Sequence, residues 1–396
     1  MSALVRRASV YVHFPWCLAK CPYCDFVSYA AKRDDIDHEG YADAVLRELD
    51  ARAHAFEGRT FASIFFGGGT PSLWEPSELG RVLAALRARL ATTSDVEITV
   101  ECNPTSLDRE RADALADVGV NRLSIGTQSL RPEQLKFLCR LHDPSGARAA
   151  VLAGMQSAVG RISTDLIFGL PDQSPEDAAS QAGELADTGL RHLSCYQLTI
   201  EPGTQFGELA KKGRLPLADD GRVAEAFLAV DEALGARGLA HYEISNYAIP
   251  GEEARHNLGY WRGEEYLGLG CGAYGFVRTQ GGGLRYRDAI DPSKYQNGTN
   301  AVVSGAPTEG DGLTISAEIL DAEALLRERI MLGLRLFAGL DLRAAGDDLD
   351  LDPYTDERRR AIDSLTARGR LERDGDVLSI PRAAWLFTDD TAARLF

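Results

Sequence analysis

The sequence predicts an α/β protein: an open or partial β/α barrel followed by a small C-terminal unit of helices and a hairpin. Three observations lead there. Short β-branched and aromatic runs alternate with amphipathic helical stretches up to about residue 200, which gives roughly six βα units on a parallel sheet. Polar residues recur at the C-terminal ends of those runs, where such folds carry their functional groups. Beyond residue 200 the alternation stops, and Gly and aromatics give way to helix formers.

The elements follow in order. Ser9–Phe14 is a β-branched and aromatic strand, and Ile36–Phe56 repeats Tyr41, Val45, Leu46 and Leu49 near helical spacing. Phe61–Phe66 reads as a buried strand ending in Gly67, Gly68 and Gly69; Pro76–Leu90 is a helix with Leu79, Val82, Leu83 and Leu86 on one face. Strand Val96–Glu101, helix Arg109–Val118, strand Arg122–Gly126, helix Ser145–Val159, strand Ser163–Phe168, helix Pro175–Asp187 and strand His192–Leu198 continue the pattern. Asp219–Gly238 is a long helix, 256–286 is rich in Gly and aromatics, and 297–312 reads as a linker. The chain thus divides into a core over 1–296, the linker, and a C-terminal unit over 313–396. In that unit a helical region from Ala322, a helix near Asp356–Arg368 and the turn at Asp374 and Gly375 look like a winged helix.

Composition narrows the function. With 44% hydrophobic residues the 396-residue chain can bury a large core. A formal charge of −16 argues against a protein whose main task is gripping nucleic-acid phosphates. No apolar run reaches the ~20 residues of a membrane-spanning helix, and the first residues do not read as a signal peptide, so a cytoplasmic protein is expected. Seven cysteines do not read as a disulfide framework here. Cys17, Cys21 and Cys24 cluster; Cys102, Cys139, Cys195 and Cys271 stand singly and read as buried, inert thiols.

The cluster lies in Tyr11-Val-His-Phe-Pro-Trp-Cys17-Leu-Ala-Lys-Cys21-Pro-Tyr-Cys24-Asp-Phe26. Three thiolates from one short loop can bind three corners of a four-iron cube and leave the fourth iron open; zinc, with His13 as a fourth ligand, is the alternative. A C-x3-C-x2-C loop after the first strand and a GGGTP segment after the second resemble the radical S-adenosylmethionine superfamily. ECNP, GTQS, TDLIFGLP and the EPGT turn narrow the resemblance to the oxygen-independent coproporphyrinogen III oxidase group, and within it to the heme chaperone branch.

The resemblance implies a radical S-adenosylmethionine barrel. Its [4Fe-4S] cluster would sit on Cys17, Cys21 and Cys24, with the methionine moiety of S-adenosylmethionine on the open iron. It also implies cofactor-binding roles for Tyr11, Gly68, Gly69, Thr70 and Glu101. A second group, Tyr23, Gln128, Arg140 and Asp165, matches positions that surround a second S-adenosylmethionine together with Gly69 and Thr70 in the oxidases. Arg255-His256-Asn-Leu-Gly-Tyr260-Trp261 carries the H-N-x-x-Y motif of the chaperone branch, which makes His256 and Tyr260 the heme-binding candidates. At i and i+4 they share a face if the segment is helical. Oxidase relatives carry a further cysteine two residues after the cluster motif, where Phe26 stands here, and a longer N-terminal segment. The expected function is therefore a heme chaperone that passes heme to acceptor hemoproteins, respiratory ones expected, with no catalytic residue assigned. The alternative is a radical coproporphyrinogen III oxidase. A radical enzyme acting on modified nucleic acid is disfavoured by the charge.

Overall fold

The computed structural model describes residues 6–302, 305 and 307–396. Twelve strands form one sheet. In chain order they are β1 (Arg6–Phe14), β2 (Arg59–Gly68), β3 (Thr92–Cys102), β4 (Arg122–Gln128), β5 (Arg161–Phe168) and β6 (His192–Gln197). There follow β7 (Ala240–Glu243), β8 (Asn246–Ala248), β9 (Glu265–Leu269), β10 (Tyr274–Thr279), β11 (Gly282–Asp288) and β12 (Thr314–Asp321). Their spatial order is β12-β11-β10-β9-β1-β2-β3-β4-β5-β6-β8-β7. Strands β1 to β6 lie side by side and parallel, and β9 adds to β1 in the same direction. The remaining strands pair antiparallel at the two edges. This is the six-unit partial barrel, widened by edge strands.

Helix starts obey local chemistry. Asp37, Asp108, Asp143, Ser174 and Asp219 each accept a hydrogen bond from the backbone N–H three residues on, so helices begin at His38, Arg109, Pro144, Pro175 and Asp220. One face of β1 buries Val10, Val12 and Phe14 against the helices; by alternation the other turns Ser9, Tyr11 and His13 inward. Trp74, Tyr41, Phe66, Leu83 and Leu86 fill the same core at 1% exposure or less.

At the expected linker the described structure differs in two places; residues 303, 304 and 306 of it lie outside the described residues. Helix Pro292–Gly298 occupies the start of the linker, and β12, placed in the C-terminal unit by sequence, is the edge strand of the main sheet beside β11. A separate core begins with helix Ala322–Gly333 and joins Leu326, Ile330, Leu342, Ile362 and Leu378. Helix Asp356–Ala367 and a three-stranded sheet of Leu340–Asp341, Glu372–Asp374 and Val377–Ser379 complete it. The Gly- and aromatic-rich stretch supplies a helix and β9 to β11, because Gly268 and Gly275 let neighbouring backbone and the Tyr286 ring approach closely.

Candidate functional site

The β1/β2 register places Phe14 beside Gly68, so the cluster loop leaves the sheet next to the glycine turn. Gly69 N–H donates to Phe14 C=O at 2.7 Å and Thr70 N–H to Trp16 C=O at 2.8 Å. A Cβ at Gly69 would stand 2.6 Å from the Trp16 carbonyl oxygen, so only glycine permits this contact. The loop is pinned from below. His13 is buried, with Nε2 on the Val27 carbonyl at 2.7 Å and Nδ1 on the Tyr11 hydroxyl at 3.0 Å. Both ring nitrogens are taken, which removes the fourth ligand of the zinc alternative. Among the described residues no three His, Cys, Asp or Glu side chains converge on one metal ion. The three thiols instead line one wall of a wider space.

That space is a cavity of about 390 Å³ at the C-terminal ends of the strands. Of the expected residues, Cys17, Cys21, Cys24, Tyr23, Gly68 and Gly69 line it, as do Thr70, Glu101, Gln128, Arg140 and Asp165. Three thiols from one short loop facing this space fit a three-thiolate cluster; burial pushes Cys24 up to about 11 and also raises Cys17, so iron would have to displace their protons. The cavity is also built for a polar ligand. Gln128 Oε1 and Arg140 Nε are buried without partners, and Gln128 holds a left-handed φ of 63° at the end of β4. Arg140 spends its other nitrogens on Cys21 Sγ at 3.3 Å and on Gly126 C=O at 2.8 Å. A ligand with amino, carboxylate and hydroxyl groups would satisfy what remains.

Two carboxylates line the site. Glu101 accepts Gly68 N–H at 3.0 Å, and burial together with nearby Asp165 raises it to about 8. Burial raises Asp165 to about 6, with Ser194 and Ser124 opposing that rise. Tyr11 does not line the cavity. Its ring stacks with Phe65 and His256, and Gly67 lies between it and Glu101. Asn103, Ser124 and Tyr196 line the cavity and escaped the sequence reading, although Ser124 is signalled by inward alternation in β4 and Tyr196 by its place near the end of β6.

His256 and Tyr260 lie elsewhere. The helix Arg255–Trp261 forms as the motif spacing required, and the two side chains meet at 3.1 Å between Nε2 and the hydroxyl. His256 is 2% exposed, and its Nδ1 is held by Ser63 Oγ at 3.0 Å. It therefore has no free nitrogen in this conformation. Burial lowers it to about 4, so it is neutral. Glu97 on β3, also missed in the sequence, clamps this helix inside the barrel: its oxygens accept N–H of Arg255 at 3.2 Å and of His256 at 3.1 Å. A single cysteine brings a correction. Cys139 is exposed, unlike Cys102, Cys195 and Cys271, because φ of 51° turns it out at a helix end. His142 is buried, with Nε2 on Thr127 C=O at 3.0 Å.

Comparisons with known proteins match this geometry. The Radical SAM superfamily profile matches residues 11–180, and the HemN C-terminal domain profile matches residues 320–387. The heme chaperone HemW of Escherichia coli (strain K12) is 42% identical over 292 residues, 73% of this chain and 76% of that one. That of Mycobacterium tuberculosis (strain ATCC 25618 / H37Rv) is 34% identical over 387 residues, 98% of this chain and 94% of that one. Among solved structures, the Escherichia coli coproporphyrinogen III oxidase HemN aligns with a TM-score of 0.80 at 20% identity, over 99% of this chain and 90% of that one. At that identity the likeness speaks for the fold alone. Fold and site together define a radical S-adenosylmethionine protein. Within that class, the chain belongs to the heme chaperone HemW family.

Proposed function

We propose that the protein binds heme and passes it to an acceptor hemoprotein, a respiratory one in the first instance, in the cytoplasm. No helix among the described residues is long and apolar enough to cross a membrane. What carries the reading is likeness to chains named heme chaperones along 98% of the sequence, C-terminal unit included. Cys17, Cys21 and Cys24 would hold a [4Fe-4S] cluster, which supplies one-electron chemistry and an open iron. Glu101 and the Gly68–Thr70 turn would take the polar end of S-adenosylmethionine. Tyr23, Gln128, Arg140 and Asp165 would take the rest of it or a second molecule. His256 and Tyr260 form the heme-binding pair: Tyr260, the less buried of the two, meets the ligand, and His256 holds the Tyr260 hydroxyl.

The oxidase reading has less support. Phe26 stands 56% exposed on the cavity rim, with no thiol at that position. The test pairs two measurements on cluster-loaded protein: heme titration of wild type and His256→Ala, and an anaerobic coproporphyrinogen III assay. Heme should bind without added S-adenosylmethionine, the variant should bind more weakly or with a shifted Soret band, and no porphyrinogen should be converted. Turnover without specific heme binding would replace this reading with the oxidase one.

A further inference from the structure

The helix Arg255–Trp261 has a second side. Away from the thiol-lined cavity, Tyr260 borders another space of about 340 Å³, enclosed by β9, β10 and β11 on one side and helix Ala322–Gly333 on the other. This volume lies within the range of small-molecule sites. Its apolar walls are Tyr266, Phe276, Leu325, Met331 and Leu332, and the Tyr260 ring meets Tyr266 edge-on at 4.9 Å. Its polar corner is unusual. Arg278 and Arg329 both line it, and both place a nitrogen 2.6 Å from the same oxygen, Oδ2 of Asp348. Two guanidinium groups thus share one carboxylate, and the cavity's remaining acid, Glu264, has its pKa raised by burial. The Arg278 side chain is 9% exposed, and its Nε is buried with no partner. An unpaired donor on a buried cation costs stability unless an anion meets it. The third arginine, Arg285, is matched by Glu328 at 2.6 Å.

We propose that this second cavity, not the thiol-lined one, is the site for a planar apolar ligand bearing a carboxylate, with Arg278 as the carboxylate contact and Tyr260 against the ring. Resting on the heme reading above, the ligand is heme, and the contact is one of its propionates. His256 then acts behind Tyr260 as a positioning residue, which accounts for its two occupied nitrogens.

The probes are metal-free protoporphyrin IX and its dimethyl ester, titrated by fluorescence against the full-length protein, with heme followed by absorbance in parallel. Wild type should prefer the free acid about tenfold, the scale of one charge-assisted hydrogen bond. Arg278→Leu should lose that preference while still binding the ester, and Arg278→Lys should restore part of it. Met331→Trp, which fills the cavity from the helix, should weaken acid and ester alike; far-UV circular dichroism checks that each variant is folded. An unchanged acid-to-ester ratio in Arg278→Leu, with tight binding in Met331→Trp, would overturn this site and leave heme binding standing. It would direct attention to the larger cleft of about 900 Å³ bordered by β7 and the C-terminal unit. No porphyrin binding by wild type would overturn the heme reading and this site together.

Discussion

Replacing Glu97 with Gln tests how the motif helix is held. Glu97 is 2% exposed and serves four partners: Arg161 at 2.8 Å, Arg122 at 3.5 Å, and the N–H groups of Arg255 and His256. Burial alone would raise its pKa; Arg122, Arg161 and the two N–H donors overrule it and keep the carboxylate ionised below the usual range. Glutamine retains one acceptor oxygen and its volume but removes the charge, leaving two guanidinium groups without their shared anion. Arg122 is itself 3% exposed, so water cannot replace the lost partner. Breaking a buried pair from one side costs about 3–5 kcal/mol, and the retained amide oxygen favours the lower end. For a cooperative unit of about 300 residues, unfolding entropy is roughly 0.6 kcal/mol per degree, so the midpoint should fall by about 5 °C. Thermal unfolding followed by circular dichroism gives that midpoint, and Glu97→Asp distinguishes loss of charge from loss of reach. A midpoint within 1 °C of wild type in Glu97→Gln would refute the reasoning, since it would mean that the helix is seated by packing alone.

Two further outcomes are expected. Anaerobically purified protein should carry about four iron per chain, and Cys17→Ala, Cys21→Ala and Cys24→Ala should each lose most of it, because three thiolates leave no spare ligand; zinc instead of iron, or full retention in all three, would end the cluster assignment. In cluster-free protein, stability should fall as pH rises from about 5 to 8. The folded state holds a proton on Glu101 up to about 8, while an unfolded glutamate has already released it, so the native state binds more protons across that window. Glu101→Gln should flatten this slope and gain on wild type toward pH 8; parallel melting curves against pH would count against a protonated Glu101.

The sequence by itself determined the parts whose signal is local. Strand and helix alternation, the caps at Asp37, Asp108, Asp143, Ser174 and Asp219, and the three-cysteine loop beside a glycine turn depend on a few neighbouring residues. Eleven of the expected metal- and cofactor-binding residues meet in one cavity, because parallel strands all carry their C-terminal ends to the same rim. Tyr11 misses that rim because it points inward lower on β1, where Gly67 separates it from Glu101. Only the tertiary structure decided what lies between strands distant in sequence. β9 to β12 are not read as strands from the sequence, yet they extend the sheet beyond β1, since β9 finds its partner in β1 at the other end of the chain and glycines let the strands that follow approach closely. The same holds for the His256 motif. Its helical spacing was legible, but its burial against Ser63, the clamp from Glu97 and the arginine pair behind Tyr260 come from three different strands and the C-terminal unit. Side-chain periodicity reports which face of a segment is buried; it carries no information on which distant charge will stand opposite, and that is what separates a solvent-open ligand from a sealed, neutral imidazole.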